Sequence, residues 1–219
     1  MRPQKDKASR KGGHMETMKN KLGITDAVDK AHAEERVSKA AAIRLYRDGT
    51  LDTLTPGTFA TLQTIHVHLF GDLYDFAGKL RSVNLAKGGF RFASALYLNA
   101  VVAAVERMPQ DTFDQIVEKY VEMNVAHPFR EGNGRSGRIW LDHMLRSNLH
   151  VTVDWSAIER EDYLLAMERS PVRDTEIKAL LRHALSYSLD SIDLIACGID
   201  ASYAFEGFAT YHTEGLISN

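Results

Sequence analysis

The sequence predicts a mostly α-helical domain with one β-hairpin and a further helix at its C-terminus. Three observations predict it. Apolar residues recur at helical spacing over several stretches of the 219-residue chain, each bounded by Gly, Pro or a capping residue. One stretch, residues 81–92, instead alternates apolar and polar groups around Gly88-Gly89, as a hairpin does. A Gly-rich loop, residues 127–138, then runs into an apolar stretch free of Gly and Pro.

Composition sets the outer limits. The length suits one domain, or one domain with appendages, and 44% hydrophobic with 26% charged residues allows a sizeable core. A net charge of -2 argues against a general polyanion binder, so no direct nucleic-acid partner is expected. No apolar run is long enough to cross a bilayer and no signal peptide is apparent, so no membrane partner is expected either. Cys197 is the only cysteine, which leaves no internal disulfide or Cys-based metal site and fits a cytoplasmic protein.

Residues 1–23 are rich in Lys, Arg and Gly and read as a flexible basic tail; Met15 or Met18 is an alternative start, and residues 12–15 read equally as an expression remnant. From Thr25 the positions Ala27, Val28, Ala31, Val37, Ala40, Ala41, Ile43, Leu45 and Tyr46 predict a helix that Asp48-Gly49 ends. Thr55-Pro56-Gly57 is expected to open a second helix, with Leu62, Ile65, Leu69, Leu73 and Phe76 on one face. His66 and His68 lie two apart, share no helix face and so make no metal pair; they read as core or surface residues.

The hairpin at 81–92 is the one β element expected, and an isolated hairpin needs helices or a partner beside it. Ser94 is expected to cap a helix to about Met108, filled by Leu96, Leu98, Val101, Val102 and Val105. Thr112 or Asp111 caps another to Ala126. Beyond the Gly-rich loop, Trp155 begins a short segment, residues 161–170 form a helix stopped by Pro171, and residues 176–194 form a further helix.

The loop itself reads His127-Pro-Phe-Arg-Glu-Gly-Asn-Gly-Arg-Ser-Gly-Arg138. Pro128 biases His127 away from the helical region, and Gly132 and Gly134 let backbone approach a ligand closely. A helix beginning near Gly134 presents unpaired N–H groups and a positive dipole end, and Arg135 and Arg138 add donors. Together these describe a cradle for a polyphosphate. His127 is suited to take a proton near neutral pH, and Glu131 offers a hard oxygen to Mg²⁺. A tight turn with solvated arginines is the bland alternative for any one of these residues, not for the set.

Every defined position of this loop resembles the Fic-family signature, His-Pro-Phe-x-[Asp/Glu]-Gly-Asn-Gly-Arg-x-x-Arg. Most members are adenylyltransferases that move AMP from ATP to a hydroxyl side chain of another protein and release pyrophosphate. The resemblance implies His127 as the catalytic base, Glu131 as the Mg²⁺ ligand and Gly132, Asn133 and Gly134 as the anion nest. It implies Arg135 as a phosphate ligand, Arg138 as the γ-phosphate arginine and Phe129 as the loop's apolar anchor. Such chemistry needs positioning and charge stabilisation more than covalent help. Residues 62–78 also resemble the helix preceding the family's target-binding flap, so the hairpin, with Lys87, Gly88, Gly89 and Phe90, is expected to pair with a strand of the target. Lys87 and Arg91 read equally as edge charges.

A second motif lies near the C-terminus. Ser202-Tyr203-Ala204-Phe205-Glu206-Gly207 resembles the family's inhibitory signature, [Ser/Thr]-x-x-x-Glu-[Gly/Asn]; in the plain reading it is an ordinary terminal helix, with Ser202 as an N-cap or surface residue, Tyr203 and Phe205 as packing and Gly207 as a helix stop. The resemblance implies that Glu206 pairs with Arg138 and so withholds the γ-phosphate's partner. A near-complete switch needs about 5.5 kcal/mol, so Tyr203, Phe205 and Phe208 must add docking energy to one ion pair. Tyr203 is a candidate for self-modification in a releasable lid.

The expected organisation is a tail at 1–23, the catalytic domain at 24–195 and an inhibitory segment at 196–219, as in bacterial single-domain members. ATP is the expected substrate with Mg²⁺. The partner is a protein bearing a Ser, Thr or Tyr hydroxyl; bacterial topoisomerase subunits are targets of similar members, and a homo-oligomer is left open. Two other classes remain: a phosphotransferase with another donor or product, and a non-catalytic nucleotide or peptide binder.

Overall fold

A computed structural model describes residues 18–87 and 90–217. Helix α1, Ala27–Arg47, starts where the Asp26 carboxylate accepts the N–H groups of Val28 and Asp29. Its buried face carries Ala41, Ala42, Ile43 and Leu45, but also Glu34, Glu35, Ser38 and Lys39. That polar stretch faces the functional end of the molecule. The preceding residues are less free than a tail: the Lys21 N–H donates to the Leu73 carbonyl at 2.8 Å and its ammonium to the Gly71 carbonyl at 2.6 Å. The remainder of the expected tail, residues 1–17, lies outside the described residues.

Helix α2, Phe59–Phe70, begins later than expected. Pro56 and Gly57 form a turn, with Gly57 at φ +73°, and Thr58 caps the helix through the Thr61 N–H. The hairpin forms as expected. Strands β1, Ala86–Lys87, and β2, Phe90–Arg91, pair antiparallel with Ala86 opposite Arg91 and Lys87 opposite Phe90. Its tip, Gly88 and Gly89, lies outside the described residues.

Two expectations for the next helix fail. Residues 95–97 make a 3₁₀ turn before α3, Leu98–Glu106, and the Ser94 hydroxyl makes no capping bond. The Asn84 side chain accepts the Ala95 N–H instead, at 2.9 Å. Leu96 is therefore thrown outward, 79% exposed, rather than into the core. Helix α4, Phe113–Ala126, opens with a capping box in which Thr112 and Gln115 satisfy each other's backbone N–H.

Helix α5, Asn133–Leu149, is buried along most of its length. It packs against α2 and α4, with Trp140, Leu141, Met144 and Leu145 fully enclosed. A second small sheet, absent from the sequence reading, pairs β3, Thr152–Val153, with β4, Leu185–Ser186. It interrupts the helix expected over 176–194. After α6, Arg160–Arg169, helix α7 covers only Thr175–His183. The Ala184 carbonyl accepts the Asp154 N–H, Ser186 Oγ accepts the Ser188 N–H, and Ser191 caps a new helix, α8, Ile192–Phe205. The chain ends in α9, Glu214–Ile217. Since α8 starts at Ile192, it crosses the expected boundary at 195 and is continuous with the domain behind it. Among the described residues, no helix is long and apolar enough to cross a membrane.

Candidate active site

The loop between α4 and α5 is held by its own residues. His127 ends α4 in the left-handed region, at φ 48° and ψ 62°, while its N–H still donates to the Met123 carbonyl. Asn133 then clasps Phe129: the Phe129 N–H donates to Asn133 Oδ1 and Asn133 Nδ2 donates to the Phe129 carbonyl, both at 2.8 Å. Asn133 thus fixes the loop, and its side chain turns inward. The Phe129 ring is fully buried and packs on His66, with ring centroids 3.9 Å apart. At Gly132, φ is +75° and a Cβ would lie 2.4 Å from the Phe70 ring, so glycine is required twice over.

The first turn of α5 opens without a side-chain cap and leaves N–H groups that have no partner within the helix. Arg138 is buried. Its Nε donates to Ser202 Oγ at 2.7 Å, and its Nη2 donates to the Ser202 carbonyl at 2.7 Å and to Glu206 Oε1 at 3.1 Å. Arg135 is also buried, with Nη2 2.8 Å from Glu34 Oε1 and 3.5 Å from Glu131 Oε1. Its guanidinium lies between the rings of Phe70 and Phe208, at 4.8 and 4.7 Å. Among the described residues, Arg135 Nε and Nη1 are enclosed without a hydrogen-bond partner. These are donors of the kind a phosphate oxygen satisfies. Burial pushes the Glu206 carboxyl up, but Arg138, with Arg135 and Lys87 behind it, outweighs burial and holds it below the ordinary glutamate value.

The end of α8 explains why its residues are spaced as they are. Ser202 and Glu206 are four apart, hence on one helix face, and both reach Arg138. The Phe208 N–H donates to the Tyr203 carbonyl and the Gly207 N–H to the Ala204 carbonyl, at 3.1 and 3.0 Å. This is a Schellman ending, with Glu206 as C-cap, Gly207 at φ +89° and Phe208 packed against Tyr203. Ser202 is inside the helix, not at an N-cap. Tyr203 is 1% exposed and its hydroxyl, beside Ser38, makes no well-aligned hydrogen bond among the described residues, so modification there requires the segment to undock. Beyond the turn, Glu35 accepts the Thr210 and Tyr211 N–H groups, and Lys39 bridges Glu35 at 3.1 Å, Asp200 at 3.0 Å and the Tyr211 carbonyl at 2.5 Å.

His127 faces the hairpin. Its ring stacks on Phe92 with centroids 3.7 Å apart and an interplanar angle of 17°. Burial, seconded by Arg81 and Lys87, pushes its pKa down to about 4, against weaker upward pulls from the Asn124 carbonyl and Glu206. The Asn124 carbonyl interacts with the ring, although Nδ1 makes no well-aligned hydrogen bond. The imidazole is therefore neutral at pH 7 and able to accept a proton. Lys87 is exposed and Phe90 half-buried at the hairpin end of the site.

Glu131 keeps its carboxylate 44% exposed. Among the described residues no cluster of three His, Cys, Asp or Glu exists to cage a metal. One open carboxylate beside a phosphate cradle fits Mg²⁺, which takes one or two protein oxygens and completes its shell with phosphates and water.

The structure adds residues the sequence did not single out. Glu34 neutralises Arg135 and also accepts the Tyr74 hydroxyl. His66 accepts the Gly78 N–H at Nδ1 and meets the Glu131 carbonyl through Nε2 at 2.9 Å, which makes Nε2 the protonated nitrogen. Tyr163 lies 3.4 Å from Arg138 Nη1. The adjacent Glu34-Glu35 with Lys39, inside an otherwise apolar helical stripe, was the available signal for the first of these.

Residues 56–145 match the Fic/DOC family. The chain is 30% identical over 182 residues to the protein adenylyltransferase VbhT of Bartonella schoenbuchensis, covering 77% of this chain but 37% of that one. It is 30% identical over 188 residues to the probable protein adenylyltransferase Fic of Salmonella typhimurium, covering 78% and 89%. Among solved structures, BepC of Bartonella tribocorum with bound AMPPNP superposes with a TM-score of 0.67 at 19% identity, over 80% of this chain and 94% of that chain, and so shares its fold.

Proposed function

We propose, on the premise that this chain belongs to the Fic/DOC family, that it is a self-inhibited protein adenylyltransferase acting with ATP on a hydroxyl side chain of another protein. The observation that carries the reading is the carboxylate of Glu206 on Arg138, across the first turn of α5 and beside a neutral His127. An anion already fills part of a cradle for anions. The names of the relatives support AMP transfer, and the AMPPNP bound by BepC supports a nucleoside triphosphate as donor.

The chemistry assigns itself to named groups. The target hydroxyl oxygen attacks the α-phosphorus of ATP, the bond to the leaving pyrophosphate breaks, and the hydroxyl proton passes to the His127 imidazole. Gly132, Gly134 and the α5 N-terminus receive the phosphates, with Arg135 and Arg138 as charged donors. Glu131 would hold Mg²⁺, which supplies neutralisation of the phosphate charge. The hairpin, with Lys87, Gly88, Gly89 and Phe90, receives an extended segment of the target. With Glu206 in place, Arg138 is already satisfied and the triphosphate loses that partner.

AMP transfer from α-labelled ATP tests the reading on the intact chain, Glu206→Gly, and Glu206→Gly combined with His127→Ala, each with bacterial lysate. Label is expected to rise in the single variant and vanish in the double. Absence of label in every sample, despite ATP binding, overturns it.

A further inference from the structure

Arg81 stands at the root of the hairpin and is 5% exposed. Among the described residues its side chain bonds only carbonyl oxygens. Its Nε donates to His127 O at 2.7 Å and its Nη2 to Ala126 O at 3.0 Å. These are the orphan carbonyls at the C-terminal end of α4, where a cation also meets the negative end of the helix dipole. The same guanidinium donates through Nη1 to Val83 O and through Nη2 to Ala93 O, both at 2.6 Å. Val83 is where the chain leaves for the hairpin and Ala93 is where it returns. The Arg81 N–H adds a bond to Pro128 O at 2.9 Å, and the Ala93 N–H one to Val125 O at 3.0 Å.

One planar fork therefore ties both legs of the hairpin to the residue that carries the imidazole. His127 sits in the left-handed region, which a residue with a Cβ enters at a cost. The bond from Arg81 to the His127 carbonyl is one of the few that can hold it there. On the hairpin side, Phe92 is one residue before Ala93 and stacks on the His127 ring. A lysine keeps the charge, but its single ammonium cannot span four carbonyls on two sides.

We propose that Arg81 is the positioning residue that sets the register between the hairpin and His127, so that a hydroxyl delivered along the hairpin arrives at the imidazole. This rests on the adenylyltransferase reading, and Arg81 itself touches no reacting atom.

The experiment compares Arg81, Arg81→Lys and Arg81→Met in the full chain carrying Glu206→Gly. Three readouts are taken: the initial rate of labelling of lysate proteins from α-labelled ATP, the Kd for ATP by titration, and the ring-proton NMR shifts of His127, which the Phe92 face moves upfield. The expected result is a cooperative melt in both variants and an ATP Kd within about threefold of the parent. Labelling falls on the order of tenfold to a hundredfold, as for a misplaced reacting group. The His127 signals move back toward those of an unstacked ring. Should Arg81→Met not fold, Arg81→Lys decides. Unmoved His127 signals in a folded variant overturn the proposal, as does a loss of ATP affinity equal to the loss of labelling. If the Arg81 parent labels nothing while Arg81→Lys still shifts the His127 signals, the adenylyltransferase reading fails and the coupling of hairpin to His127 stands.

Discussion

The Glu206 carboxylate occupies the space that a side chain at position 134 would need: a Cβ built on Gly134 lies 2.2 Å from Glu206 Oε1. Gly134 has an ordinary backbone conformation, so alanine is compatible with the helix, and what must move is chiefly the carboxylate, the far end of a flexible chain. Gly134→Ala is expected to loosen the Arg138 pair and raise hydrogen exchange over residues 202–208. It activates less than Glu206→Gly, because the added methyl also lies 3.0 Å from Arg138 Nη1 and narrows the phosphate cradle. Full activation by Gly134→Ala would contradict this.

Gly207 offers a test that leaves every charge in place. At φ +89° with no atom of the described residues within 4 Å of a built Cβ, an alanine there meets backbone strain and no clash with them. That strain is about 1–2 kcal/mol and falls on the turn that orients Glu206. Gly207→Ala should raise AMP transfer several-fold over the intact chain, while Gly207→Asn, which tolerates the left-handed region, stays closer to it. Equal rates for the two would show that the Schellman turn does not hold the carboxylate.

Lys39 connects α1 to the chain beyond α8 and is 1% exposed. Lys39→Met leaves Glu35 without its cation inside the protein, a loss of about 3–5 kcal/mol, or roughly a 6–20 °C fall in melting temperature for a chain of this size. Residues 206–213 should exchange faster as well. A small calorimetric shift with unchanged exchange there would mean that this network does not secure the segment.

Acid should weaken the fold earlier than its carboxylates suggest. Burial holds His66, His127 and His143 at about 4, whereas an unfolded histidine titrates near 6.5. Between those values the unfolded chain binds more protons. Stability is therefore full above about pH 6.5 and lost as pH falls toward about 4, by up to roughly 1.4 kcal/mol per pH unit for each histidine. Urea midpoints at pH 7, 6 and 5 should fall steadily, and His143→Gln, distant from the cradle, should lessen the slope. Midpoints independent of pH over this range would refute the account.

The helical frame is legible because α1, α2, α4 and α5 carry apolar stripes, the first three opened by the side-chain caps Asp26, Thr58 and Thr112, and the motif loop because each of its residues has a distinct chemical use. Where the reading failed, distant partners outvoted local signals. Ser94 lost its capping role to Asn84, and Leu96 turned outward in consequence. The helix predicted over 176–194 broke because Leu185 and Ser186 pair with Val153 and Thr152, more than thirty residues upstream. His66 reads from the sequence only as a core or surface residue, since nothing near it announces that its ring spans the Gly78 N–H and the Glu131 carbonyl.

Glu206 is the cap of a helix that grows without a break from within the domain. Its last turn is packed through Tyr203 and Phe205, so it opens by local undocking, on the microsecond-to-second scale, rather than by free fraying. Under the proposed self-inhibition, such a turn is a brake whose strength is the share of time it stays docked. On that reading the resting protein carries a leak set by the fraction of molecules whose final turn is undocked, and that leak grows with temperature.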